Sequence, residues 1–198
     1  MKNRRFSTVD LCFVGVMSAI AIVLSFTLKI PMAFFAPWLS LDLSYVPMML
    51  TGFALGPVAG LFVLLITNIL HLFASNSGMV GQLADVIMGI CFLIPSTIIY
   101  KYVHSRKGAL LGMAVGTVCL IVGGIISNLY ILLPLFLGAG YAEKLVGMGF
   151  ESVGNLVLVA VAPFNLLKGV VISAVTFVLY KHLSRLLRSF EKKEKSKK

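Results

Sequence analysis

Residues 108–137 read GALLGMAVGTVCLIVGGIISNLYILLPLFL, a run of 30 positions without a charged side chain. As an α-helix this stretch is about 45 Å long, more than the roughly 30 Å hydrocarbon core of a bilayer. One long apolar run, instead of short alternating segments, points to spanning helices and away from a barrel. The rest of the chain has the same character. Mean hydropathy is +1.01 and 59% of the 198 residues are hydrophobic, too apolar for a water-soluble globule. The fold class read from this is an all-α membrane protein.

Outward from that run, the pattern predicts six transmembrane segments over about 8–30, 44–56, 57–73, 80–103, 108–137 and 153–184. Residues 1–184 form one domain, and the charged stretch 185–198 is expected to be a disordered cytoplasmic tail. Ser7 or Thr8 caps the first helix, which closes near Lys29 and Pro31. Its basic lead of Lys2, Arg4 and Arg5 resembles a signal peptide, but the apolar run is too long for one and further spans follow. An irregular loop, Pro31 to Asp42, carries Phe34, Phe35 and Trp38, which suit an interface belt and a ligand lid equally. Ser44 can cap the second helix with Pro47 in its first turn, and Gly56-Pro57 must break it. At roughly 20 Å that helix is too short to span alone.

Formal charge is +10, yet the basic residues sit at the chain ends and in the 101–107 loop, without the folded basic domain that nucleic acid would require. Membrane topology accounts for them. Three Lys or Arg lie at the N-terminus, three in the 101–107 loop and eight from Lys181 onward, against Lys29 and Lys144 on the other side. The positive-inside rule then places both termini in the cytoplasm of a multi-pass cell-membrane protein, with the Trp38, Asn76 and Glu143 loops outside. Cys12, Cys91 and Cys119 lie in apolar runs and read as small core residues, with neither disulfide nor metal-ligand spacing.

Polar side chains inside spans are costly in lipid and are functional by default. Here they gather at one depth: Thr67, Asn68 and His71, then Gln82 and Asp85, then Asn128, with Asn165 and Lys168 further in. Four helices contributing at one level define an outward-opening pocket. Asn165 and Lys168 are three apart and share a helix face. Two amides with an ammonium donor suit a neutral ligand rich in carbonyls, ring nitrogens and hydroxyls. Asn128 alone fits interhelical bonding equally well. Asp85 is a counter-ion for Lys168, a site residue or an interfacial carboxylate. His71 reads as a helix-end residue, and no metal site is expected. On the first helix Gly15 and Ala19 form a small-xxx-small pair, suited to close packing inside the bundle or to a membrane partner.

No phosphate loop, zinc-protease motif, nucleophile elbow or pair of catalytic carboxylates is present, so active transport would need another subunit's energy. Leu41-Asp42-Leu43-Ser44-Tyr45-Val46-Pro47, Gly56-Pro57-Val58-Ala59-Gly60, Gly81-Gln82-Leu83-Ala84-Asp85, Ser127-Asn128-Leu129-Tyr130 and Pro163-Phe164-Asn165-Leu166-Leu167-Lys168-Gly169 together resemble the riboflavin-specific S component of energy-coupling factor transporters. The resemblance covers nearly the whole chain. The Pro163–Gly169 run is its most specific part, whereas Gly-Pro-x-x-Gly is shared more widely among S components. It implies a non-enzymatic six-helix subunit that takes riboflavin from outside and works with a transmembrane coupling subunit and two cytoplasmic ATPases. It also implies flavin contacts from Asn128, Asn165 and Lys168, a loop around Leu41 closing above them, and docking to the coupling subunit through Gly15 and Ala19. With the neighbouring polar residues, the candidate ligand-binding set is Leu41, Asp42, Asn68, Asp85, Asn128, Asn165 and Lys168. Riboflavin is expected as cargo and no cofactor is expected. Where the family pattern has Asp, Lys and Asn, this chain has Tyr45, Thr67 and Asp85. An S component for another flavin or small vitamin therefore stays open, as does an autonomous facilitator.

Overall fold

The structure, a computed structural model, describes residues 6–74, 78–138 and 140–195, with the side chains of 74, 78 and 182–195 left aside. Lys2, Arg4 and Arg5, the Asn76 turn and residues 196–198 fall outside the described residues.

Helix α1 (Thr8–Thr27) opens on a capping box in which Ser7 accepts from the Asp10 N–H and Asp10 accepts from the Ser7 N–H. It ends three residues before the expected 30, because Ile30 precedes a proline and is pushed towards extended backbone. The loop beyond is more ordered than its composition suggests. Strands β1 (Lys29–Pro31) and β2 (Ser40–Asp42) pair antiparallel, Ile30 opposite Leu41. Between them, Ala36 and Leu39 are buried.

Helix α2 (Tyr45–Leu55) is buried at every residue, the pattern of a central helix. Ser44 does not cap it through its side chain as expected. Instead the Asp42 carboxylate accepts from the Ser44 N–H at 2.7 Å. Gly56, at φ +98°, supplies the left-handed turn that only glycine takes without strain, and α3 (Pro57–Ala74) starts at the next residue. Helix α4 (Gly78–Tyr102) follows.

Helix α5 (Arg106–Ser127), capped by Ser105, passes through a π turn (Asn128–Leu132) into α6 (Leu133–Leu137) without a break. The glycine-rich stretch beyond holds one further helix, α7 (Tyr141–Gly147). Helix α8 (Val153–Leu156) likewise passes through a π turn (Val157–Val161) into α9 (Ala162–Lys195). Each π turn ends two residues before a proline, Pro134 or Pro163. A proline has no N–H to give and its ring crowds the carbonyl four residues back, so the ladder widens there. The backbone of α9 is helical through 185–195, where a disordered tail was expected. That segment lacks Gly and Pro and is rich in Leu, Arg, Glu and Lys, all good helix formers.

Among the described residues, four helical stretches, Thr8–Thr27, Met79–Tyr102, Arg106–Leu137 and Val153–Lys181, are long and apolar enough to cross a bilayer, and Tyr45–Leu55 and Pro57–Phe73 are shorter. Leu110, Val118, Leu135, Val159 and Val170 point outward, an arrangement that lipid tolerates and water does not. Inside are two apolar clusters. The larger joins α1 to α5 with α9 around Tyr45, Leu64, Phe92 and Ile172. The smaller gathers Leu39, Leu133, Leu145, Leu156 and Phe164 under the β1–β2 loop.

Candidate functional site

A cavity of about 470 Å³ lies where the two clusters meet, within the roughly 300–1,000 Å³ usual for small-molecule sites. The larger cluster contributes Met88 to its wall, and the smaller contributes Leu39, Leu133 and Phe164. Trp38 and Phe136 add aromatic surface, with ring centroids 6.5 Å apart.

The polar side is built from three helices. Lys168 of α9, 4% exposed, places Nζ 3.6 Å from Asp85 Oδ1 of α4. The same Nζ sits 4.2 Å from the centroid of the Tyr45 ring, where the negative ring face attracts a cation. The Tyr45 hydroxyl is shared between two acceptors, the Asp85 carboxylate at 3.0 Å and the Asp85 backbone carbonyl at 2.9 Å. Tyr45, a departure from the family pattern, thus ties the first turn of α2 to both charged partners.

Asp42 of β2 interacts electrostatically with Asp85 and Lys168 without lining the cavity. Burial pushes its carboxyl above the ordinary carboxylate value and the Asp85 charge adds to this, while the Ser44 N–H and Lys168 pull it back. The sequence showed no pair of carboxylates. Folding brings Asp42 and Asp85 within electrostatic reach across 43 positions of chain.

The amides are oriented by their own helices. Asn128, fully buried at the start of the π turn, donates Nδ2 to the Gly124 carbonyl at 2.8 Å, and Asn165 donates to Val161 at 2.9 Å. Gly124 lies against the Asn165 amide so closely that a Cβ there would collide with it. Asn128 Oδ1, Gln82 Nε2 and Trp38 Nε1 are buried without a hydrogen-bond partner among the described residues. Each such group costs free energy until something pairs with it. One acceptor, two donors and an ammonium at the edge of an apolar cavity match a flat heteroaromatic with carbonyl and N–H edges.

Of the expected residues, Asp85, Asn128, Asn165 and Lys168 line this cavity. Leu41, Asp42 and Asn68 are not among its lining residues. Leu41 is buried in the ribbon opposite Ile30, and Asn68 donates to the Leu64 carbonyl of its own helix at 3.0 Å. His71, in the last turn of α3, lies against Phe26 with ring centroids 4.7 Å apart and planes tilted by 52°. Of the loop aromatics, Trp38 lines the cavity, Phe35 packs edge-on against Phe164, and Phe34 is 92% exposed. Met88, Leu133, Phe136 and Phe164 were not anticipated. Only Phe164, inside the Pro163–Gly169 run, carried a signal.

Gly15 and Ala19 take no part in internal packing. Both are exposed on α1, no other element among the described residues comes within 4 Å of where a Gly15 Cβ would stand, and Ala19 lines a shallow outer groove with Ile20, Val23 and Leu24.

A bundle of apolar helices around a cavity with an apolar wall and a few convergent polar groups is the architecture of a small-molecule binding component. The family model for the ECF transporter substrate-specific component matches residues 9–180, and the chain belongs to that family of non-enzymatic transport subunits. It is 35% identical over 187 residues to the riboflavin transporter RibU of Staphylococcus aureus, covering 94% of each chain. It is 30% identical over 173 residues to the riboflavin transporter FmnP of Bacillus subtilis, covering 86% of this chain and 89% of that one. A solved structure of the S component of a bacterial ECF transporter superposes with a TM-score of 0.74 at 35% identity, over 90% of this chain and 96% of the other.

Proposed function

We propose that this subunit binds riboflavin in the cavity walled by the β1–β2 loop, α4, the Asn128–Leu132 π turn with α6, and α9, and delivers it inward when docked to a transmembrane coupling subunit driven by two ATPases. The observation that carries the reading is the convergence of Asp85, Asn128, Asn165 and Lys168 on one apolar-walled cavity. Relatives along nearly the whole chain are riboflavin transporters, which supports the choice of cargo. Lys168 and the two amides would read the carbonyl and N–H edge of the isoalloxazine, while Trp38, Phe136 and Phe164 would pack on its faces. The β1–β2 loop would close over the ligand, with Leu41 holding the ribbon and Asp42 and Asn68 supporting from behind.

The distribution of Lys and Arg supports cytoplasmic termini, an outward-opening cavity and six membrane-crossing segments. The exposed Gly15–Ala19 face supports docking through α1. An autonomous facilitator would need a polar route through the inner half. Ser96, Thr97 and Thr117 there donate to carbonyls of their own helices, as membrane hydroxyls commonly do.

Purification in detergent tests the reading. A flavin absorption spectrum in the purified protein, or saturable uptake of added riboflavin, is expected. Protein that neither carries nor takes up a flavin would overturn it.

A further inference from the structure

We propose that Asp85 sets the charge of the ligand this cavity accepts, admitting an uncharged flavin and disfavouring one that carries a phosphate. The inference rests on the riboflavin reading above and adds a specificity role to one residue of that site.

Three charged side chains line the cavity: Lys29, Asp85 and Lys168. Lys29 stands exposed on β1, where water and salt screen it. Lys168 is buried, so its charge acts at short range in a poorly screened environment. Left alone, it would draw a phosphate. It is not left alone, because the Asp85 carboxylate 3.6 Å away offsets it.

Asp85 is also held in place. The fully buried Tyr45 donates its hydroxyl to the carboxylate, and the ring of the same tyrosine receives the Lys168 ammonium. Carboxylate and ammonium are therefore both anchored on one side chain, which holds them beside one another. Asp42 is close enough to interact electrostatically with Asp85, though it does not line the cavity.

The cavity is small. A sphere of its volume is about 5 Å in radius, so a phosphate inside it would lie within roughly 10 Å of Asp85, about one screening length at physiological salt. A neutral flavin edge can accept a hydrogen bond from Lys168 without breaking the ion pair. A dianion meets a site whose cation is already balanced.

The test is an equilibrium titration of the purified full-length protein with riboflavin and, separately, with riboflavin 5′-phosphate. The wild type should favour riboflavin by at least about tenfold, and Asp85→Asn, which uncovers Lys168, should shrink that ratio by at least about fivefold. Asp85→Glu keeps the charge and should keep the preference. Equal affinities of the wild type for the two ligands would overturn the proposal, and that result does not depend on any variant folding. A ratio unchanged in a folded Asp85→Asn protein would overturn it as well. Binding of neither flavin by the wild type would instead reject the riboflavin reading, and this inference with it.

Discussion

Gly124 of α5 and Asn165 of α9 meet where their helices cross, and the space a Gly124 side chain would need is filled by the Asn165 amide. The same glycine's carbonyl accepts the Asn128 amide. One residue without a side chain therefore seats both cavity amides.

Gly124→Ala should then separate binding from folding. Alanine favours helix by about 1 kcal/mol over glycine, so the span itself should be preserved. Its methyl group must displace Asn165, and riboflavin affinity should fall by about tenfold or more for loss of a well-placed polar contact. Titration of a monodisperse variant checks this, and unchanged affinity would show that Asn165 does not touch the ligand.

Tyr45→Phe removes the hydroxyl that holds Asp85 while keeping the ring beneath Lys168. Loss of one hydrogen bond to a charged group is worth about 1.5–3 kcal/mol, and the Asp85 carboxylate keeps Lys168 as its ion partner. Thermal unfolding in detergent should show a lower midpoint than the wild type. An unchanged midpoint would mean that the bond contributes nothing.

Asp42 gives a pH signature. Its carboxyl lies above the ordinary value chiefly because burial penalises the charged form. A raised acid costs stability where the unfolded chain is ionised and the fold resists ionisation, and that cost fades as pH falls through the raised value towards the ordinary one. Asp42→Asn keeps an acceptor for the Ser44 N–H and removes the charge. Its melting temperature should exceed that of the wild type at about pH 7, with the gap closing towards about pH 4. A gap that widens on acidification would contradict the assignment.

Gly15→Leu tests the outer face of α1. No other element among the described residues reaches this position, so riboflavin binding should stay within about twofold of wild type, as for a surface change remote from the site. Uptake by cells that carry the coupling subunit and ATPases should be lost. Lost binding with intact complex assembly would show that α1 serves the cavity and not the partner.

These relationships differ in how far the sequence shows them. Apolar runs expose the spans because lipid demands them, and the cost of polar groups in lipid exposes Asp85, Asn128, Asn165 and Lys168 as residues at one level. The role of Tyr45 is not legible, since a hydroxyl on Asp85 and a cation over the ring exist only once α2, α4 and α9 have packed. Asn68 looks like a cavity residue by depth alone, but its amide is spent on the Leu64 carbonyl. The β1–β2 ribbon escapes a local reading because its two strands of three residues are paired across a loop that folds onto α6 to α9. The π turns lie just ahead of Pro134 and Pro163, but Pro95 sits inside α4 without one, so a proline shows only that the helix must adjust.

Trp38, the single tryptophan of the chain, lines the cavity and reports on it directly. Riboflavin titrated into the purified protein should quench Trp38 emission along a saturable curve with one site, and Lys168→Ala, folded and at the same concentrations, should lose most of that response. Emission that stays flat in the wild type, or a curve that Lys168→Ala leaves untouched, would contradict a flavin seated between Trp38 and Lys168.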